Sequence, residues 1–288
     1  MPDITTITSV AEFAKALADI PLAPECTRFF RGHSDYKKYK LEPSVFRKPH
    51  LIENEESLIQ EAKIRCPSDL PSSLSFIEVL VRLQHYGLPT RLLDLTANSL
   101  VALYFACKHK EKTEGEVLVL DIPNKQVKFH DSDTVTVLAN IGRRPKEFDV
   151  SALPEDKDEF NKNPDVGKLL HDIRSDKPAF RNIIEPSDLR RVVAVRTRLD
   201  NARIARQESA FLLFGADGSK LKPAKVPDDW LVCGTAAQRI IFSNKHKLKR
   251  ELLSFGVSEQ SLFPELESQA AAIVERYQNK YARKKKVA

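Results

Sequence analysis

Metal-ligand spacing is absent. The 288 residues hold 4 cysteines, Cys26, Cys66, Cys107 and Cys233, far apart, with no CxxC pair and no Cys/His cluster. A zinc site therefore has no support, and no metal is expected. No apolar run approaches the roughly 20 residues that span a bilayer. The N-terminal pattern Val10, Phe13, Ala14, Leu17 is amphipathic and interleaved with acidic residues, unlike a signal peptide. The expectation is a soluble, cytoplasmic protein in a reducing compartment, with no membrane partner. The glycine-rich phosphate loops GxxxxGK[ST] and GxGxxG are also missing, so neither P-loop nor Rossmann chemistry is indicated. Without a paired-carboxylate metal motif, a nuclease built on His33, His85 and Asp94 ranks last among the readings.

What is present is enough chain for a full core, as one large domain or two small ones. The formal charge is +6, from 46 basic and 40 acidic residues, with a pI near 9.0. That suits an anionic partner such as a nucleotide or nucleic acid, although Lys245–Arg250 and the tail Arg283–Lys286 supply much of the excess. A solvated face and a frayed tail account for those two clusters equally well.

Unusual residues concentrate in one stretch, LQHYGLPTRLLDLTANSLVALYFA at 83–106. Leu74, Ile77, Val81 and Leu83 roughly keep a helical period, and Gly87 suits the end of that helix. Thr90–Thr96 alternates as a strand, with Leu93 and Leu95 on one face and Leu92, Asp94 and Thr96 on the other. Thr96 or Asn98 can cap the following helix, which is apolar almost all round and so expected to be buried. Arg91 and Asp94 sit in apolar surroundings, where a charge is unfavourable unless paired. They form either a structural ion pair or the polar floor of a cleft.

Elsewhere a first helix covers residues 1–20, capped near Thr8 or Ser9. Thr27–Arg31 is a short strand ended by Gly32, which places a bidentate donor beside backbone that another element can approach closely. Leu51–Arg65 is a helix, Glu116–Ile122 a strand and Asp133–Ile141 a helix or strand. Residues 145–165 form a charged surface excursion. Arg191–Arg196, Ala210–Phe214 and Gln238–Phe242 are strands, residues 217–227 a loop, and Lys245–Phe255 and Leu266–Tyr281 helices.

Phe30-Arg31-Gly32, Leu41-Glu42-Pro43-Ser44, LQHYGLPTRLLDLT at 83–96, LVALYFA at 100–106, RIARQESAFLLFG at 203–215 and LFPEL at 262–266 together resemble the FRG domain family. The likeness spans about residues 25–270, so 1–288 is expected to be a single FRG domain, with 271–288 as a C-terminal helix and basic tail. The resemblance implies a divergent ADP-ribosyltransferase-like fold of α+β class. In that fold two small, mostly antiparallel sheets surround an NAD cleft, with flanking helices. It also implies a bacterial toxin or phage-defence role, with NAD as substrate and RNA, DNA or protein as acceptor. An antitoxin or other neutralising protein is a further implied partner.

Carried over by motif, Arg31 is the first-strand donor, with Gly32 beside it. Thr96 or nearby Tyr104 is the middle hydroxyl, and Gln207 or Glu208 the late-strand acceptor. Breaking the nicotinamide–ribose bond needs a cationic clamp on the diphosphate and an acceptor at the ribose. Gln207 keeps that hydrogen bond without the charge. Glu208 is chemically stronger but alternates to the opposite face of a strand. Arg91, Asp94 and Tyr104 are expected to help bind NAD, and His85 and Thr96 to edge the catalytic pocket. His85 and its neighbour Gln84 can equally close a helix C-terminus. The alternative is a module that binds a nucleotide or nucleic acid without turning it over.

Overall fold

The structure is a computed structural model that describes residues 3–181, 183–198, 201–234 and 238–287. It is α+β. The strands are β1 (Asp3–Thr6), β2 (Cys26–His33), β3 (Leu92–Thr96), β4 (Gly115–Pro123), β5 (Val127–Phe129), β6 (Val192–Arg196), β7 (Ser209–Phe214), β8 (Ala216–Asp217), β9 (Ser219–Pro223), β10 (Leu231–Cys233) and β11 (Gln238–Phe242). Nine of them form one open mixed sheet in the order β1-β11-β4-β2-β3-β7-β6-β5, with β10 also on β4. The outer pairs β1–β11 and β5–β6 are parallel, and the others antiparallel. β8 and β9 make a separate two-stranded ribbon.

In place of two separate sheets around a cleft there is therefore one continuous sheet, divided by a seam. β2 lies along β4 for eight residue pairs, and β3 along β7 for five, whereas β2 and β3 share the single pair Phe30–Thr96. Beyond that pair the two strands part.

One face of the sheet carries the long helices, and the seam divides its core. On one side Leu92, Val193, Val195, Phe211 and Leu213 pack beneath the helices Phe76–His85, Asp133–Asn140 and Pro164–Asp176. On the other, Phe30, Val117, Val119, Ile240 and Phe242 pack beneath Val10–Ala18, Ser99–Lys108 and Lys245–Ser254. The opposite face buries Phe29, Leu93, Leu95, Leu118, Leu120 and Trp230, partly beneath Leu41 and Phe46 of the loop after β2. The alternation expected for Leu92–Thr96 holds on both faces.

Several local signals act as their chemistry demands. Ser9 accepts from the amide of Glu12 to cap the first helix. Asn98 accepts from the amides of Leu100 and Val101, and Gly87, at φ 87°, follows the helix Phe76–His85. The stretch 145–165 is more than a surface excursion, since Phe148, Val150, Leu153 and Phe160 enter the core. Residues 217–227, expected as a loop, contain β9. The last helix runs Leu266–Val287 through the basic tail, whose side chains lie outside the described set. Among the described residues no helix is long and apolar enough to cross a membrane.

Candidate functional site

Where β2 and β3 part, a cavity of about 310 Å³ opens. Its floor is Phe30, Arg31 and Gly32 of β2 with Asp94, Leu95 and Thr96 of β3. The helix Phe76–His85 forms one wall through Val81, Gln84 and His85, and the helix Ser99–Lys108 another through Ala102 and Phe105. Arg203, Ile204 and Gln207 close a third side, and Tyr39 and Arg47 reach in from the loop after β2.

The tripeptide Phe30-Arg31-Gly32 has three jobs. Phe30 makes the one pair across the seam. Gly32 lets the helix Ser99–Lys108 lie on the strand: a Cβ there would stand 2.0 Å from Ala102 O and 2.6 Å from Ala106 N. Arg31 crosses the gap and donates from Nη1 to Asp94 O at 2.6 Å. Its Nε is buried with no partner. Burial lowers its pKa to about 10, against the attraction of Asp94 and with the repulsion of Arg47, so it is still a cation at neutral pH. A buried guanidinium N–H without an acceptor calls for a partner.

Asp94 is the exposed position in β3 and the one carboxylate lining the cavity among the described residues. Its Oδ2 accepts from Gln84 Nε2 at 3.0 Å, and Gln84 Oε1 accepts from Thr90 Oγ1 at 3.0 Å, which fixes the amide's orientation. Thr96 faces the cavity, but its hydroxyl is occupied, donating to Gln207 O at 2.6 Å and accepting from Asn98 N at 3.0 Å. Gln207 is buried and donates from Nε2 to Leu262 O at 3.0 Å.

The segment Leu262–Glu265 straps down three lining residues together. Besides Gln207 it holds His85, whose Nε2 is 3.1 Å from Glu265 Oε1, and Arg203, whose guanidinium stands over the Phe263 ring at 4.7 Å. Burial and nearby Arg203 lower the His85 pKa, with Glu265 opposing. A smaller cavity of about 120 Å³ adjoins the first across Val81, His85 and Ile204.

Of the residues expected to converge, Arg31, Gly32, His85, Asp94, Thr96 and Gln207 do so, and three do not. Arg91 is 0% exposed and lies elsewhere. It holds Glu55 bidentately, Nε to Oε1 at 2.9 Å and Nη2 to Oε2 at 2.6 Å, and donates from Nη1 to Phe214 O at 3.0 Å. Lys220 Nζ is 3.4 Å from the same Glu55 carboxylate. Arg91 is thus the structural member of the pair of readings set out for it. Tyr104 is buried beside the cavity and donates its hydroxyl to Glu259 Oε2 at 2.5 Å. Glu208 occupies the left-handed position after the helix Ala202–Arg206, at φ 46°, and turns outward, where Oε1 accepts from Asn98 Nδ2 at 2.9 Å.

Sequence reasoning missed Gln84, Tyr39, Arg47, Phe105, Arg203 and Phe211. Arg203 opens the motif RIARQESAFLLFG, whereas only long-range folding brings Tyr39 and Arg47 to the same mouth, so no local pattern marks those two. Among the described residues no three His, Cys, Asp or Glu cluster as metal ligands.

Residues 27–115 match the family model of the FRG domain. That segment supplies β2, the helix Phe76–His85, β3 and the helix Ser99–Lys108, which are the cavity's floor and two walls. Arg203 and Gln207 come from outside it. No curated protein and no solved structure matches the chain.

Proposed function

We propose, from the premise that this chain belongs to the FRG domain family, that the seam cavity binds an anionic nucleotide of the NAD type. The observation that carries the reading is the Arg31 guanidinium, a desolvated cation with an unpartnered Nε, on a cavity that Arg47 and Arg203 also line. Guanidinium forks match diphosphate oxygens, and desolvation strengthens each charge-assisted bond. Tyr39, Phe105 and Phe211 offer aromatic surface for a ring system. Asp94, Gln84 and Gln207 offer acceptors for ribose hydroxyls.

A second reading, ADP-ribosyl transfer, is favoured by one further observation: a single carboxylate, Asp94, lies beside the Arg31 cation on the cavity floor. In that reading the nicotinamide–ribose bond breaks and nicotinamide leaves with the bonding electrons. An acceptor nucleophile bonds the ribose carbon and passes its proton to Asp94. In this reading Asp94 takes the part of the carboxylate that the ADP-ribosyltransferase-like pattern draws from the late strand, and Gln207 holds the ribose. Glu208, turned outward, has no part. In the cell the transfer reading implies growth inhibition on expression, the behaviour of a toxin or phage-defence effector.

The test is a titration with NAD followed by an assay for free nicotinamide, on wild type and Asp94→Asn. Saturable binding with nicotinamide release that Asp94→Asn lowers at least tenfold supports transfer. Binding without release from wild type leaves the non-catalytic nucleotide module. No binding removes both readings.

A further inference from the structure

Two loops reach the cavity through Tyr39, Arg47 and His109, and the nucleotide reading leaves their lysines unused. Residues 36–48, YKKYKLEPSVFRK, carry five basic side chains and one acidic. Residues 108–114, KHKEKTE, carry three lysines and two glutamates. Together these loops hold a net +5, against +6 for all 288 residues. They form one of three basic clusters in the chain, with Lys245–Arg250 and the tail Arg283–Lys286, and Tyr39, Arg47 and His109 of these loops line the cavity. Lys37, Lys38, Lys40, Arg47, Lys48, Lys110 and Lys112 are all exposed.

The loops form one surface. Tyr36 N donates to Glu114 O at 3.2 Å, and Thr113 Oγ1 to Ser34 O at 2.7 Å. Lys110 Nζ is 3.3 Å from Asp35 Oδ2 and 4.7 Å from the centre of the Tyr39 ring. Beneath them Lys245 is buried, its ammonium donating to Ser34 O at 2.5 Å, Lys110 O at 2.8 Å and His109 O at 3.1 Å. One cation thereby ties the backbone of the second loop to Ser34, two residues before the first. Tyr39, Arg47 and His109 belong to the rim and the cavity lining alike, so the basic surface runs into the mouth.

We infer that this rim is a track for single-stranded nucleic acid leading into the cavity mouth. Basic side chains interleaved with aromatic rings are what a single strand requires: cations follow the phosphates, and rings stack on bases without regard to sequence. Tyr36 and Tyr39 alternate with Lys37, Lys38 and Lys40 along one loop. The track stands on its own charge and geometry. That the bound strand is the ADP-ribose acceptor rests on the transfer reading above.

The test is fluorescence anisotropy with fluorescein-labelled dT and U oligonucleotides about 12 nucleotides long, at 50 and 200 mM NaCl. Each phosphate contact on a single strand contributes about −0.7 to the slope of log K against log salt. Three to five contacts then weaken binding roughly twenty- to a hundredfold across that fourfold rise in salt. The combined variant Lys37→Glu, Lys38→Glu, Lys40→Glu should lose at least tenfold in strand affinity while keeping the wild-type melting temperature and NAD binding within about threefold. The milder combination Lys37→Gln, Lys38→Gln, Lys40→Gln should fall between. A control reversing Lys284, Lys285 and Lys286 in the tail to Glu should change strand binding little.

NAD binding is scored separately, so the strand result stands or falls apart from the cavity reading. Three outcomes overturn the inference. One is no binding of either strand at 50 mM NaCl. Another is loss of binding in the tail variant but not in the rim variant. The third is wild-type adsorption to phosphatidylserine vesicles without strand binding.

Discussion

Arg91→Ala tests the division between the arginine that builds the fold and Arg31, which lines the cavity. Arg91 is fully buried, with two guanidinium nitrogens on Glu55 and a third on Phe214 O. Burial pushes the Glu55 carboxyl upward, but Arg91 and Lys220 outweigh it and hold it below its ordinary 4.5. Removing Arg91 leaves Glu55 with Lys220 alone and strips Phe214 O of that donor. Breaking one side of a buried ion pair costs about 3–5 kcal/mol. At roughly 2–4 °C per kcal/mol for a chain of this class, the melting temperature should fall by about 10 °C. Circular dichroism melts and urea titrations read this directly. The triple variant Arg91→Met, Glu55→Leu, Lys220→Met should recover much of the loss, because it leaves no buried charge of the three unpaired. Glu55 also sets a sign with pH. Its folded pKa lies below its unfolded one, so its contribution is present above about 4.5 and is lost as pH falls through the folded value. Arg91→Ala should therefore flatten the acid limb of the stability curve. A variant that melts like wild type but no longer binds NAD would refute this placement.

Three further outcomes follow from the same geometry. Gly32→Ala should destabilise by about 3 kcal/mol or more, since its Cβ meets helix backbone at 2.0 Å rather than a side chain that can swing away; a melt reads it. Glu208→Gly should leave stability within about 1 kcal/mol and NAD titration the same as wild type, because relief of the left-handed strain offsets loss of the Asn98 bond. His33, buried and bonded to Glu116, has its pKa lowered by burial, with Glu116 opposing. The unfolded chain therefore binds the proton first as pH drops below about 6.5, stability declines from there toward the folded pKa, and His33→Asn should show a shallower decline in melts between pH 7 and 5.

The part of this architecture that local chemistry determines was legible beforehand. Asn98 caps, Gly87 ends a helix, β3 alternates, and the apolar run after Asn98 is buried, each for a reason within a few residues. Arg31, Gly32, Asp94, Thr96 and Gln207 reach one cavity although they span more than half the chain, and family motifs led there. What escaped depends on distant partners. Arg91 and Asp94 look alike in sequence, and only Glu55, on a helix 36 residues upstream, separates a buried structural cation from an exposed carboxylate. β1 forms because Gln238–Phe242 offers a parallel edge more than 230 residues away. Strand alternation favours Gln207 over Glu208 by turning Glu208 away, yet neither residue lies in a strand: Gln207 caps the helix Ala202–Arg206 and β7 begins at Ser209. The left-handed backbone of Glu208 and the Asn98 amide turn it away from the cavity, and neither can be read from side-chain alternation. The single sheet in place of two comes down to one residue pair, Phe30–Thr96, a detail no periodicity encodes.

The central claim is that Arg31 is the cavity's donor to an anionic nucleotide. Calorimetric titration of NAD into wild type and Arg31→Ala tests it most directly. A lost charge-assisted hydrogen bond is worth about 1.5–3 kcal/mol, so the variant should bind roughly ten- to a hundredfold more weakly with its melting temperature nearly unchanged. Equal affinities for the two proteins, or no saturable heat from wild type, would contradict it.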